Sequence, residues 1–333
     1  MIAVFKRTSK KKWYLLITLS LLTCFVSLSF GVVNFHRHQV VFYPSFTSKT
    51  AGSTPVYEGE FSAISYNVAG LPELISSAET PRSESIAAIG RKLNAYAVAH
   101  VQEDFNYNDE LYNSGNNHPY RTSAKGMIPY SDGLNTLSRF PITEFRRIPW
   151  TDCTDADCFT LKGFSYSRIE ITAGTSIDFY NIHANAANHP EAAAARRKNM
   201  LQFSDYVKTH SAGRAVIIMG DLNAHYSYTY DNVDHLLKDN GLLDAWILLY
   251  RNGKFPKPEI RLPNDAILKL TDTCESIDKV LFRSSSEIEL LPKDFKIEKS
   301  LFTDVHGKPL SDHCPVSLSF AWRIQPNYIA KKN

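Results

Sequence analysis

Six short polar clusters fall at the edges of apolar, β-branched runs, and each carries side chains that can bind a metal ion or move a proton. They are Tyr66-Asn67, Gln102-Glu103, Asn181-Ile182-His183, Gly220-Asp221-Leu222-Asn223, Ser276-Ile277-Asp278 and Ser311-Asp312-His313. Carboxylates and side-chain amides are hard oxygen donors, and imidazole is the side chain that changes charge nearest neutral pH. Asp221 and Asn223 stand two apart at a strand end, so they leave the same side of the pleat and can act on one group together. Taken singly, an Asn or Glu at a strand end is usually a turn or capping residue, and an isolated His is usually a satisfied core imidazole. Six such clusters in succession form a different pattern, because together they bring acid, base and ligand chemistry to the ends of the strands.

The elements that must position these residues are short runs rich in Val, Ile, Phe and Tyr: 61–66, 97–101, 164–171, 176–182, 215–219, 277–282 and 314–320. Their composition and length predict strands. Helical periodicity appears between them at 83–95 and 191–209. Strands outnumber helices and often follow one another directly, which favours an α/β layered sandwich over a doubly wound βαβ sheet. No internal repeat interrupts the pattern, and one domain over about 61–323 is expected, with 324–333 as a tail.

The ordered set of clusters resembles the endonuclease/exonuclease/phosphatase superfamily, the fold of DNase I-like nucleases, inositol polyphosphate 5-phosphatases and neutral sphingomyelinases. The most specific elements are Gly-Asp-Leu-Asn-Ala at 220–224 and Ser-Asp-His-Cys-Pro-Val at 311–316, supported by Gln102-Glu103. The segments Asp132-Gly133-Leu134, Ser138-Arg139-Phe140-Pro141 and 162–168 resemble the sphingomyelinase side of the superfamily. The start Tyr-Asn-Val-Ala-Gly-Leu-Pro, with Asn-His-Pro-Tyr-Arg-Thr and Asp-Gly-Leu-Asn-Thr-Leu-Ser, is similar to the exported fungal-type branch resembling neutral sphingomyelinases. The resemblance implies a four-layer α/β/β/α sandwich of the DNase I-like type and a metal-dependent phosphoric diester hydrolase.

For such a reaction the protein must neutralise phosphoryl oxygens, aim a water and protonate a poor alkoxide leaving group. Asn67, Glu103 and Asp312 are then the expected metal ligands, and their all-oxygen donors suit Mg²⁺, with Mn²⁺ as a substitute. His313 is the expected general base, and the resemblance sets Asp278 against it as the group that orients the ring. Asp221 and Asn223 would hold the attacking water and a phosphoryl oxygen, and His183 would bind the phosphate and act as acid. Tyr226, Tyr228 and Tyr230 are expected either to pack or to flank a head group, while His189 and His225 are expected as loop residues. Lys279 and Ala184 depart from the residues usual beside Asp278 and His183, so the substrate class stays open.

The chain has 333 residues, 44% hydrophobic and 21% charged, which is ordinary globular composition. Its net charge of +3 is set by Lys6, Arg7, Lys10, Lys11 and Lys12; without those five of the 37 cations, 32 basic residues face 34 acidic ones. The body is therefore not the polycation expected of a protein that neutralises many duplex phosphates. Residues 13–33 carry no charge and are long enough to cross a hydrocarbon core of about 30 Å. The five cations before them would keep residues 1–12 in the cytosol as a basic tail. Residues 13–33 are expected to be either a transmembrane signal anchor or a cleaved signal peptide, followed by a linker over 34–60. Either reading exports the body, to a membrane or as a secreted protein. Cys153 and Cys158 could then close their own loop, although Cys153, Cys158, Cys274 and Cys314 allow three pairings. Three functions follow: a sphingomyelinase-C-like phospholipid head-group hydrolase, an exported DNase I-like endonuclease, and a catalytically inactive binding protein of the same fold. The partner is a phosphodiester, a membrane phospholipid or a nucleic acid.

Overall fold

The computed structural model describes the backbone at 40–42 and residues 56–261 and 266–325. The expected basic tail and the apolar segment 13–33 lie outside these residues. Among the described residues, no helix is long and apolar enough to cross a membrane.

Two mixed sheets form the body. The first runs in the order β1 (Val40–Phe42), β4 (Tyr120–Thr122), β5 (Asn135–Ser138), β3 (Val98–Gln102), β2 (Glu58–Asn67), β13 (Val316–Ile324), β12 (Ile288–Ile297). The second runs β10 (Leu243–Asp244), β11 (Asp278–Arg283), β9 (Val216–Asp221), β8 (Thr175–His183), β7 (Gly163–Thr172), β6 (Ile142–Pro149). Among the described residues each sheet holds a single parallel pair, β2 with β3 and β8 with β9. Each pair is joined by a crossover helix, α1 (Arg82–Lys92) and α3 (Pro190–His210), as parallel neighbours require. The shorter helices are α2 (Asn108–Asn113), α4 (Val233–Asn240) and α5 (Ala245–Arg251). Strand β1 falls within the stretch expected as linker, and β2 begins at Glu58, ahead of the expected domain start at 61.

Side-chain alternation sorts each strand between two cores. On β2, Ile64 and Tyr66 pack with Ile86, Ile89 and Leu93 of the α1 region. Phe61 and Ala63 point the other way, into the core between the sheets. There the Phe61 ring lies 6.1 Å from Phe179, and its cross-strand partner Phe320 lies 5.5 Å from Phe282, contacts that join the sheets face to face. On the far side of the second sheet, Phe164 and Tyr180 pack on Phe203 of α3 at 4.8 and 5.4 Å. Helices thus flank both sheets.

The same alternation turns the inter-sheet layer polar at one end. After Phe61 and Ala63 come Ser65 and Asn67; after Val98 come His100 and Gln102; after Phe179 come Asn181 and His183. Gln102 Nε2 donates to Asn181 Oδ1 at 2.7 Å and to Ser65 Oγ at 3.1 Å, so an amide network closes the apolar core just below the strand ends.

Candidate active site

Register alone assembles half of the site. His183 is paired with Asp221 in the parallel β8–β9 ladder, and Asp278 is paired with Asp221 in the antiparallel β9–β11 ladder. Three chemically active side chains therefore stand on three adjacent strands. Asp221 Oδ2 lies 3.5 Å from His183 Nε2, 3.7 Å from His313 Nε2 and 3.3 Å from Asn67 Nδ2, which makes it the centre of the cluster. Gly220 permits the approach: a Cβ there would meet the Ile182 carbonyl oxygen at 2.1 Å.

Asn223 holds its position through a turn with φ +49°, a region that Asn tolerates better than most residues. Its N–H donates to Asp221 Oδ1 at 2.9 Å, and its side-chain amide donates to the Ala184 carbonyl at 3.2 Å. His313 arrives from the loop before β13, with Nδ1 3.2 Å from Asp278 Oδ2. That contact places a proton on Nδ1 and turns Nε2 toward Asp221. Burial alone would depress the His313 pKa, but the facing Asp278 and Asp221 carboxylates outweigh it and lift it to about 10. Burial raises Asp221 to about 6, with the His313 charge opposing and Asp278 adding to the rise. His183 is held well below its ordinary value by burial, with Lys162 and His313 acting in the same direction. It is a neutral imidazole whose Nδ1 is buried with no hydrogen-bond partner among the described residues.

Glu103 follows β3 in the left-handed region, φ +57°. Gly70 and Gly133 make this turn possible from either side. Gly70 N–H donates to the Glu103 carbonyl at 3.0 Å, and Asp104 N–H donates to the Gly133 carbonyl at 3.0 Å. A Cβ on Gly70 would meet Glu103 O at 2.3 Å, and one on Gly133 would sit 2.9 Å from Glu103 Cα. The Asp132-Gly133-Leu134 segment is in turn tied down by Arg147, which bonds Asp132 and the Leu134 carbonyl. Asn67 Nδ2 donates to Glu103 Oε1 at 3.0 Å, while its oxygen accepts Ala69 N–H at 3.1 Å. Of the three expected metal ligands, Glu103 and Asp312 offer carboxylates, and Asn67 turns its amide nitrogen toward the acids. Burial raises the Glu103 pKa, with Lys162 and the Asn67 hydrogen bond opposing the rise. Asp221, Asp278 and His313 also present ligand atoms within 4.8 Å of one another. The hard carboxylate oxygens of Glu103 and Asp312 suit Mg²⁺ better than this mixed group, in which the imidazole is already engaged by carboxylates.

Lys162 is a site residue that reading by strand ends passed over. Its Nζ bonds Asp157 Oδ1 at 2.6 Å, both side chains are largely buried, and its charge is felt at Glu103, His183 and Asp221. The available signal was a lysine directly before Gly163, where a Cβ would meet the Ile148 carbonyl oxygen at 2.0 Å. Asp157 sits inside the loop closed by the Cys153–Cys158 disulfide. Asp157 Oδ2 accepts Ala186 N–H at 2.6 Å, and Asn185 Oδ1 accepts Thr154 N–H at 2.8 Å, so the loop is docked beside His183. Cys274 and Cys314 are free, and Cys314 is buried.

Tyr226 and Tyr228 are buried packing residues, and Lys279 Nζ already occupies the Tyr226 face at 4.2 Å; Tyr230 alone of the three is exposed. His189 caps α3 by accepting Ala192 N–H.

The family model of the Endonuclease/Exonuclease/phosphatase family matches residues 64–313, from the inter-sheet strand that carries Asn67 to the base candidate itself. The chain belongs to this family. Curated sphingomyelinases of Mycobacterium bovis and Mycobacterium tuberculosis are 37% identical to it over 295 residues, covering 86% of this chain and 57% of theirs. The chain thus spans little more than half the length of these relatives. Among solved structures, a Staphylococcus aureus beta toxin variant with bound magnesium ions superposes with a TM-score of 0.56 at 18% identity, covering 78% of this chain and 99% of that one. Sphingomyelinase C from Streptomyces griseocarneus gives 0.51 at 19%, with coverage of 78% and 99%. At that identity these two establish the DNase I-like fold and nothing finer.

Proposed function

We propose that this family member is a Mg²⁺-dependent phosphodiesterase that cleaves the phospho-head group from a membrane phospholipid, as a sphingomyelinase C does, outside the cytosol. The observation that carries the reading is the 37% identity to curated sphingomyelinases across the stretch that holds the assembled cluster. The inactive-protein alternative would leave no reason for His183, His313 and Asn67 to converge on one oxygen of Asp221, with Asp278 behind His313.

The raised pKa values of half-buried Glu103 and buried Asp221 fit a site that accepts a divalent cation, because at each acid desolvation outweighs the charges and hydrogen bonds that oppose it. Such a cation supplies charge neutralisation at phosphoryl oxygens. In the proposed reaction a water oxygen attacks phosphorus, the bond to the alkoxide oxygen breaks, and the water proton passes to Nε2 of the neutral fraction of His313, a fraction that grows as pH rises toward 10. Asp278 keeps the other ring proton on Nδ1 and stabilises the imidazolium that results. Asp221 and Asn223 aim the water. Neutral His183 suits donation of a hydrogen bond to a phosphoryl oxygen better than delivery of a proton to the leaving group, so the departing alkoxide takes its proton from solvent and His313 returns the one it accepted to solvent. Lys162 balances the negative charge gathered at Glu103 and Asp221.

The run 13–33 with its five preceding cations supports export, and so does the closed Cys153–Cys158 disulfide, a bond that persists in oxidising compartments. The direct test compares sphingomyelin vesicles, phosphatidylcholine vesicles and plasmid DNA as substrates, each with Mg²⁺ and with EDTA. Release of phosphocholine from sphingomyelin only with Mg²⁺ is expected. Cleavage of plasmid DNA with intact lipid would replace this reading with the nuclease, and full activity after exhaustive chelation would remove the metal.

A further inference from the structure

Arg82 is one of the two largest fully buried side chains among the described residues, and no carboxylate there lies within ion-pair distance of its guanidinium. A buried cation without a counter-ion is costly unless its donors are filled. Here they are filled by main-chain carbonyls of two separate loops. Nε donates to Ala69 O at 3.0 Å and Nη2 to Val68 O at 2.6 Å, on the segment that directly follows Asn67. Nη1 donates to Leu310 O at 2.9 Å, two residues before Asp312, and reaches Thr80 O at 3.4 Å. The fork geometry of guanidinium serves all these acceptors at once, which an ammonium cannot do. Burial lowers the Arg82 pKa, and the nearby Asp312 and Glu73 carboxylates oppose the fall.

The bonded carbonyls lead straight to the chemistry. Ala69 is held at φ +50°, a region that a residue with a Cβ rarely adopts, and Arg82 Nε grips its carbonyl. Ala69 N–H in turn fixes the Asn67 side chain through Oδ1. On the opposite loop, Ser311 Oγ donates to the Asn67 carbonyl at 2.7 Å and accepts His313 N–H at 3.3 Å.

We propose that Arg82, which touches none of the reacting groups, is a positioning residue that clamps the Asn67–Ala69 turn to the Leu310–His313 loop and so sets Asn67 against Asp312 and His313. The inference rests on the phosphodiesterase reading for its consequence in rate, but not for the clamp itself. Arg82→Lys keeps the charge and loses the fork; Arg82→Met loses both. With p-nitrophenyl phosphorylcholine as a soluble probe, kcat of Arg82→Lys should fall about 10²-fold with KM within threefold, since misplacement by about 1 Å costs that much. The Mg²⁺ concentration that gives half of the metal-induced rise in Tm should increase about tenfold. Amide hydrogen exchange in peptides covering 67–70 and 309–313 should quicken at least tenfold in both variants, while peptides from β9 stay unchanged. Adding Ala69→Gly to Arg82→Lys should restore at least fivefold in kcat, because glycine adopts this turn without a clamp. The proposal is overturned if exchange in both segments stays within twofold of wild type, or if kcat falls only in proportion to the unfolded fraction. Wild-type protein that neither hydrolyses the probe nor responds to Mg²⁺ would sink the phosphodiesterase reading, and the exchange data would still decide the clamp.

Discussion

Replacing Asp278 by Asn tests the arrangement at its most informative bond. The substitution keeps the shape and removes a carboxylate whose Oδ2 lies 3.2 Å from His313 Nδ1. Two carboxylates hold His313 up at about 10, and Asp278 stands ahead of Asp221 among them. At an effective dielectric near 20, a unit charge at that separation is worth on the order of 5 kcal/mol of attraction before its desolvation is counted. Loss of Asp278 should therefore bring His313 a long way back toward its ordinary value. The amide can also present its NH₂ to Nδ1, which would place the ring proton on Nε2 and remove the lone pair that must accept the water proton. A wrong tautomer at such a pair lowers kcat by up to about 10⁴, and a base contributes about 10² to 10⁴ overall. The expected result is a fall of at least about 10² in kcat, with KM changed little and far-UV circular dichroism unchanged. The assay is the initial rate of phosphocholine release across pH 5 to 10. A variant that keeps more than a tenth of wild-type kcat, with an unmoved pH–rate profile, would refute the assignment of His313 and Asp278 as a coupled base.

Gly133→Ala should lower kcat by tenfold or more, because the residue sits at φ +66° and the new Cβ would meet the Phe105 ring at 2.8 Å and Glu103 Cα at 2.9 Å; a crystal structure with Glu103 unmoved and full activity would contradict this. Lys162→Met should cost about 10² in kcat by removing the cation that balances Glu103 and Asp221, and a loss under threefold would show that its charge does not reach the reaction. The double variant Cys153→Ser/Cys158→Ser should lose at least threefold in kcat at unchanged Tm, since the loop positions Asp157 against Lys162; unchanged turnover would make the disulfide purely a surface staple. The protein should be acid-labile. His100 and His118 are lowered by burial to about 4 from 6.5, so their contribution is present above pH 6.5 and is lost as pH falls toward 4. Each should cost roughly 2 kcal/mol by pH 4.5, offset in part by Asp221, whose raised pKa favours acid. Urea midpoints equal at pH 7 and 4.5 would disprove it.

Much of the site was readable because strand ends advertise themselves. Every expected strand formed, and the helical periodicities at 83–95 and 191–209 correspond to α1 with its 3-10 extension (Leu93–Ala95) and to α3. The strands that escaped notice, β1, β4, β5, β6, β10 and β12, are short, or carry Arg, Lys and Glu on a solvent face that breaks the apolar run, as Glu144 and Arg146 do on β6. The helices α2, α4 and α5 span only about two turns each and are fixed by caps and tertiary packing, as where Asp244 accepts the N–H groups of Trp246 and Ile247. Lys162, Asp157 and Arg82 were hidden for a different reason. Each acts through a partner distant in sequence or through main-chain carbonyls, and no residue pattern at a strand end records such a bond.

The placement of the chemistry follows from how the sheets meet. Where both inner faces carry Phe, Ile and Val, the layer between them is dry; one turn of the alternation further on, the same positions are Ser65, His100, Gln102 and Asn181, and then Asn67, His183 and Asp221. Charge is thus brought in by steps, first amides that bond one another across the gap, then acids and imidazoles whose ionisation burial has already moved. Such a gradient keeps water from the strand ends without leaving a bare charge against hydrocarbon, the condition under which fixed dipoles and charges act most strongly on a developing phosphoryl charge. The cost falls on the turns that carry the ligands. Ala69, Glu103 and Asn223 all sit at positive φ beside the cluster, and the structure restrains them with the close approach of Gly70 and Gly133, the Asp221 carboxylate and the Arg82 fork.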